Sequence, residues 1–128
     1  MKIEHLALWV KNLELMKDFY VTYFNMKSNK KYVNHEKQFS SYFLSFEGGA
    51  RIELMHRSDI PPHIGDKGLI NGQAHFAISV GSKDKVDQLT EVLRNDGFEI
   101  IGEPRTTGDG YYESVISDPE GNRIELTP

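Results

Sequence analysis

The chain has 128 residues, enough for one domain with a real core, and its 38% hydrophobic and 27% charged residues mark it as globular rather than disordered. A net charge of −4 argues against the basic face of a nucleic-acid binder, and the lack of cysteine excludes a disulfide framework, a thiolate nucleophile and a cysteine-type zinc site. The apolar runs are too short to span a bilayer, and Glu4 and His5 interrupt the N-terminal segment as a signal peptide, so a soluble cytoplasmic protein is expected.

Residues 2–10 alternate: Ile3, His5, Ala7 and Trp9 share one face, and Leu6, Leu8 and Val10 the other, which predicts a strand. Asn12 is placed to cap a helix reaching about Phe24, with Leu13, Met16, Phe19, Tyr20 and Phe24 at helical spacing. Strands are expected near 26–34 and 39–46, with the Lys27 to Lys31 cluster as a solvated strand or loop. After a Gly48-Gly49 turn comes a strand over 50–57, then a linker over 58–72 containing two prolines and three glycines. The order then repeats. Residues 73–80 read as a strand, with His75, Ala77 and Ser79 opposite Phe76, Ile78 and Val80. Ser82 caps a helix over 83–95 that Gly97 ends. Strands follow near 98–103, 111–117 and 122–127. The fold class is therefore α+β, with two tandem βαβββ modules, 1–57 and 73–128, joined by the linker.

The word Arg-Ile-Glu-Leu occurs in the last strand of each module, at 51–54 and 123–126. A repeated four-residue word carries little weight alone, but the repeated element order supports it. In each copy the two-residue period puts Ile and Leu on one face and Arg and Glu on the other. The apolar pair is expected to pack beneath the helix, which turns Glu53 and Glu125 to the opposite face. His5 and His75, 70 residues apart, stand in the first strands of the modules, also opposite the more apolar face. Two such faces brought together would converge two imidazoles and two carboxylates, a set that suits a divalent Zn, Ni, Co, Mn or Fe ion. Four ligands on a six-coordinate ion leave two positions for substrate or water. His35, His56 and His63 have no partner in the repeat and read as surface or loop residues.

These features resemble the vicinal oxygen chelate superfamily, and within it glyoxalase I (lactoylglutathione lyase). The resemblance runs over the whole chain, through IEHLALWVKNLELMKDFY, FLSFEGGARIEL, HFAISV and DPEGNRIEL. It implies an open, barrel-like sheet around one metal held by His5, Glu53, His75 and Glu125. Many dioxygenases and thiol transferases of the superfamily lack a Glu at the position of Glu53, and methylmalonyl-CoA epimerases usually place Gln there, so the full set looks like glyoxalase I. The implied reaction isomerises the hemithioacetal of a 2-oxoaldehyde to a 2-hydroxyacyl thioester through an enediolate. Glu125 would take the proton, and Glu53 would make the opposite transfer or serve as a plain ligand.

One departure bears on substrate. Bacterial glyoxalase I usually carries an arginine for the glutathione carboxylate four residues after the first His, where this chain has Trp9. Trp9 either lines the cavity and stacks on a substrate or fills the core. Tyr111 and Tyr112 fall on alternate faces, and Tyr112 is a candidate substrate contact. The resemblance also implies a homodimer, with modules paired within a chain or between two. The rival functions are another metal enzyme of the superfamily (an epimerase, thiol transferase or dioxygenase) and a non-catalytic binder of a small molecule or antibiotic.

Overall fold

The strand expected over 2–10 is shorter in the computed structural model, which describes residues 1–128: β1 covers His5–Trp9. Asn12 then starts α1 (Leu13–Phe24), its side chain accepting from the Leu15 N–H at 3.1 Å, and Asn25 ends it in the left-handed conformation. Where one strand was expected over 26–34 there are two short ones, β2 (Lys27–Ser28) and β3 (Tyr32–Asn34). Asn29 causes the break. Its backbone N–H donates to the Phe43 carbonyl at 3.1 Å, while its side-chain oxygen takes the Phe43 N–H at 2.8 Å. A side chain thus occupies the place of the next ladder bond, and the pairing stops. β4 (Phe39–Ser45) and β5 (Arg51–Arg57) complete the first sheet, ordered β1-β5-β4-β2, with β3 also on β4.

The second half follows the same plan. β6 (Phe76–Ser79) leads to α2 (Lys83–Asn95), capped by the Ser82 hydroxyl on the Lys85 N–H at 3.2 Å. β7 (Ile100–Thr106), β8 (Tyr112–Ser117) and β9 (Arg123–Thr127) then form a sheet ordered β6-β9-β8-β7. In both sheets the first strand runs parallel to the last, β1 against β5 and β6 against β9. β7 is an edge strand, and its register shifts between Ile100 and Gly102 and again between Gly102 and Arg105, the second shift spanning Pro104, which has no N–H for a ladder. The chain divides into two units at Met1–His63 and Ile64–Pro128, so the boundary falls inside the expected linker. That linker carries a 3₁₀ turn at Lys67–Leu69, which Asp66 caps through the Gly68 N–H at 2.8 Å. No helix is long and apolar enough to cross a membrane.

Each unit has its own core beneath its helix. In the first, Met16, Phe19, Tyr20 and Phe24 of α1 are buried together with Leu8, Leu44, Ile52 and Leu54 of the sheet. In the second, Val86 and Leu93 of α2 are buried with Ile78, Ile116, Ile124 and Leu126. Both repeated words therefore bury their Ile and Leu, as the strand period requires.

Polar contacts fix the two helices differently. On α1, Glu14 accepts from Lys31 at 2.8 Å and from the Tyr42 hydroxyl at 3.1 Å. The Lys31 hydrogen bond, helped by Lys17 and Tyr42, holds the Glu14 carboxyl below its ordinary value. On α2, the fully buried Thr90 hydroxyl donates to the Val86 carbonyl at 2.7 Å and meets the fully buried Ser114 hydroxyl at 2.7 Å.

Two outcomes are expected. Because the Glu14 carboxyl is held low, its stabilisation is present above the unfolded-state value and lost as pH falls through the folded one. Urea melts of Glu14→Gln against wild type should therefore converge at acid pH and separate near neutrality. In the second unit, Thr90→Val strands the Ser114 hydroxyl and should cost about 1–3 kcal/mol. The double variant Thr90→Val/Ser114→Ala should recover much of that loss, as a double-mutant cycle by urea denaturation would read.

Candidate metal-ligand site

Parallel pairing of β1 with β5 sets His5 beside Arg51, Ala7 beside Glu53 and Trp9 beside Met55. Ile52 and Leu54 are committed to the helix side, so Glu53 points away from α1, onto the face that carries His5 and Trp9. There the His5 Nε2 lies 3.7 Å from the Glu53 Oε2, with the Glu side chain only 15% exposed. The other ring nitrogen, Nδ1, meets the Glu4 Oε2 at 2.5 Å. Phe43, directly across from Glu53 on β4, sets its ring edge-on to His5 at 5.4 Å between centroids. Arg51 lies over the face of Phe43, 4.2 Å from its centroid, and pairs with the Glu4 carboxylate. The His5 contact, reinforced by Arg51, holds the Glu4 carboxyl below the usual carboxylate range.

The second unit repeats the pair. Glu125 stands beside Ala77 of β6 and Val115 of β8, and its Oε1 is 3.2 Å from the His75 Nε2. His75 was expected within the strand but directly precedes β6. Its side chain is 46% exposed against 18% for Glu125. Arg123 pairs with Asp66 of the linker turn, where Arg51 pairs with Glu4 in the first unit. The Gly68 N–H, with Arg123 adding, holds the Asp66 carboxyl low. A Cβ on Gly68 would stand 2.2 Å from the Arg123 Nε, so only glycine leaves the arginine its place. The Nε of each arginine is buried without a hydrogen-bond partner.

Within each unit the structure thus brings together two of the four expected ligands, His5 with Glu53 and His75 with Glu125. Neither unit contains a group of three or more His, Cys, Asp or Glu side chains placed to hold a metal. The donor chemistry fits a divalent ion. Two donors each about 2.1 Å from one ion stand roughly 3.0–3.4 Å apart, so a small movement suffices for either pair to share one.

Trp9 lies on the ligand face and is 42% exposed, which removes the core-filling alternative. It meets Phe39 edge-on at 6.2 Å, and Tyr32 lies 6.1 Å from the same ring. Sequence reasoning missed this cluster; Phe39 reaches Trp9 through the pairing of β4 and β1 with β5, and Tyr32 joins through the β3–β4 pairing. His56 takes the face opposite Glu53, its Nδ1 2.9 Å from the Val10 carbonyl.

Tyr112, expected as a substrate contact, lies on the face of β8 opposite Glu125. It shares the helix face of β8 with Ser114 and Ile116, and its hydroxyl donates to the Asp87 carboxylate of α2 at 2.6 Å. The Lys83 ammonium lies 4.9 Å from its ring centroid. Glu113 and Val115 occupy the Glu125 face instead, with Glu113 paired to Arg105 at 3.2 Å.

A sequence model of the Glyoxalase/Bleomycin resistance protein/Dioxygenase superfamily matches residues 2–126. Over 58 residues the chain is 36% identical to the protein YqjT of Bacillus subtilis (strain 168), an alignment covering 43% of this chain and 45% of that one, less than half of each. Among solved structures it is similar to glyoxalase I from Zea mays, with TM-score 0.80, 26% identity and coverage of 98% of this chain and 44% of that one. It shares its fold with the trypanothione-dependent glyoxalase I of Leishmania major, at TM-score 0.79, 23% identity and coverage of 99% and 86%. A superfamily domain from Frankia sp. EAN1pec matches with TM-score 0.83, 19% identity and coverage of 99% and 96%.

The placement of Tyr112 makes an expectation. Tyr112→Phe should lower the melting temperature slightly and leave the KM of any hemithioacetal that the protein turns over unchanged; a tenfold higher KM would restore Tyr112 as a substrate contact.

Proposed function

Because the chain belongs to the Glyoxalase/Bleomycin resistance protein/Dioxygenase superfamily, we propose that its two His–Glu pairs together hold one divalent metal in a lyase resembling glyoxalase I. The observation that carries this reading is the recurrence of one donor pair, imidazole and carboxylate, at the same place in both units. His5 and Glu53 come from one module and His75 and Glu125 from another, of the same chain or of a second copy in a homodimer. The metal, of the Ni, Zn, Co, Mn or Fe type, supplies Lewis-acid polarisation of the two adjacent substrate oxygens.

The work of the chain's own residues is to move protons. Glu125 takes the proton from the hemithioacetal carbon that bears the hydroxyl and the sulfur. A proton returns at the neighbouring carbon, the former carbonyl carbon, with Glu53 as its donor or as a ligand only. The hydroxyl proton passes to the neighbouring oxygen, so a 2-hydroxyacyl thioester forms with no net gain or loss of atoms. The strand alternation that buries Leu54 and Leu126 keeps both carboxylates facing away from the cores.

The thiol is proposed to differ from glutathione. The ligand face of the first sheet offers Trp9, Phe39 and Tyr32 where a carboxylate-binding arginine would be needed. Arg57, across from Phe39, is engaged by the Asp59 carboxylate through two hydrogen bonds. Aromatic faces favour a thiol with an apolar or cationic body.

Metal analysis of the purified protein should find stoichiometric divalent metal. A protein that takes up none would exclude both the lyase and every other metal-dependent reading, leaving a small-molecule binder. With metal loaded, Glu125→Gln should lower turnover at least about 100-fold while the circular dichroism spectrum is retained. A panel of methylglyoxal hemithioacetals, including those of glutathione, trypanothione and an aromatic thiol, tests the substrate. Turnover with none of them moves the reading to an epimerase, thiol transferase or dioxygenase of the same superfamily.

A further inference from the structure

The two ligand pairs differ in one respect that the repeat does not predict. Only in the first unit is the outer nitrogen of the imidazole engaged: the Glu4 carboxylate sits 2.5 Å from the His5 Nδ1. Glu4 is itself held in place. Arg51 pairs with its carboxylate, and the Arg51 N–H donates to the Glu4 carbonyl at 3.0 Å. Arg51 in turn rests over Phe43, whose ring also meets His5 edge-on. In the second unit Ala74 precedes His75, and Arg123 is committed to Asp66. The His75 ring has Glu125 at its Nε2 and no carboxylate at its Nδ1.

We infer that Glu4 is a positioning residue for the metal site: it accepts the Nδ1–H of His5, fixes that tautomer, and leaves the Nε2 lone pair aimed beside Glu53. An imidazole binds a metal only through an unprotonated nitrogen, and which nitrogen is free depends on the bond the other one makes. A carboxylate at the far nitrogen also makes the ligand more basic and fixes the plane of the ring. Arg51 keeps the carboxylate turned toward His5 and offsets the charge it adds next to Glu53. The arginine of the repeated word thereby serves the imidazole in the first copy alone, since Arg123 is engaged by Asp66. His5 is oriented before any ligand arrives, while His75 is free to settle when one does. The consequence for metal affinity rests on the metal reading above; the tautomer follows from the geometry of the first unit by itself.

The test is ring nitrogen–proton correlation spectroscopy of the metal-free protein at a pH where the histidines are neutral, joined to nickel titration by calorimetry. Wild-type His5 is expected in the Nδ1–H form. Glu4→Ala should shift His5 to the Nε2–H form that free imidazole favours, leave the His75 signals in place, and weaken nickel binding by about tenfold to a hundredfold. Glu4→Gln should keep both properties, because its amide oxygen still accepts from Nδ1–H. The Glu4 side chain is 58% exposed, so the variants should fold, as near-ultraviolet circular dichroism would verify. A wild-type His5 in the Nε2–H form, or one that Glu4→Ala does not move, overturns the inference. So does a tautomer shift with unchanged nickel affinity. The metal reading fails separately, if wild type binds no nickel or if His5→Ala binds it as tightly; the spectra of the metal-free protein decide the tautomer in either case.

Discussion

The commitment of one strand face to a helix is the constraint on which the rest depends. In β5 and β9 the Ile and Leu of the repeated word are buried, each contributing about 1.5–3 kcal/mol that a one-residue slip would forfeit. A slip would also carry Glu53 or Glu125 into an apolar core. The carboxylates are therefore held on the outer face by the packing of their neighbours, and no contact of their own is required. Parallel pairing does the rest in the first unit, because β1 has no freedom to present any side chain but His5, Ala7 and Trp9 on that face.

Features governed by local period or by caps were legible in the sequence. Asn12 and Ser82 begin the helices as expected, and the two βαβββ modules reappear as two sheets with one strand order. The family resemblance read from the same segments agrees with the superfamily match over residues 2–126. What escaped prediction depended on partners distant in sequence or on side chains replacing backbone. The strand expected over 26–34 breaks because Asn29 bonds twice to Phe43. Tyr112 turns to α2 because Asp87 is there to accept its hydroxyl proton, and alternation by itself does not say which face of an edge residue the helix will cover. Arg51 and Arg123 had no readable role, since one partner, Asp66, lies 57 residues away in an irregular segment. Glu4 precedes His5 directly, yet neighbours in a strand normally point to opposite sides; it meets His5 because it lies just before β1, where that rule lapses.

The repeat is thus closer in backbone than in polar detail. Both units bury the same apolar pair and present the same donor pair, but each uses its arginine differently. In the first, Arg51 serves the residue next to the imidazole; in the second, Arg123 fastens the Asp66–Leu69 turn to the last strand, with Gly68 making room. Lys67 adds to that fastening through Asn122 at 3.1 Å. The segment that reads as linker is consequently part of the second unit from Ile64 onward.

The Thr90–Ser114 hydroxyl pair has a consequence for how the second unit is assembled. The apolar stripe of α2 is periodic, and a periodic surface fits its sheet nearly as well one turn along as in place. Hydrophobic burial grades such alternatives weakly. A single hydrogen bond between two fully buried hydroxyls grades them sharply: Thr90 keeps its bond to the Val86 carbonyl wherever the helix docks, but any shifted docking leaves the Ser114 hydroxyl unpaired in the core. The pair works as an alignment key: its worth lies less in the energy it adds to the native state than in the energy it denies to every near miss.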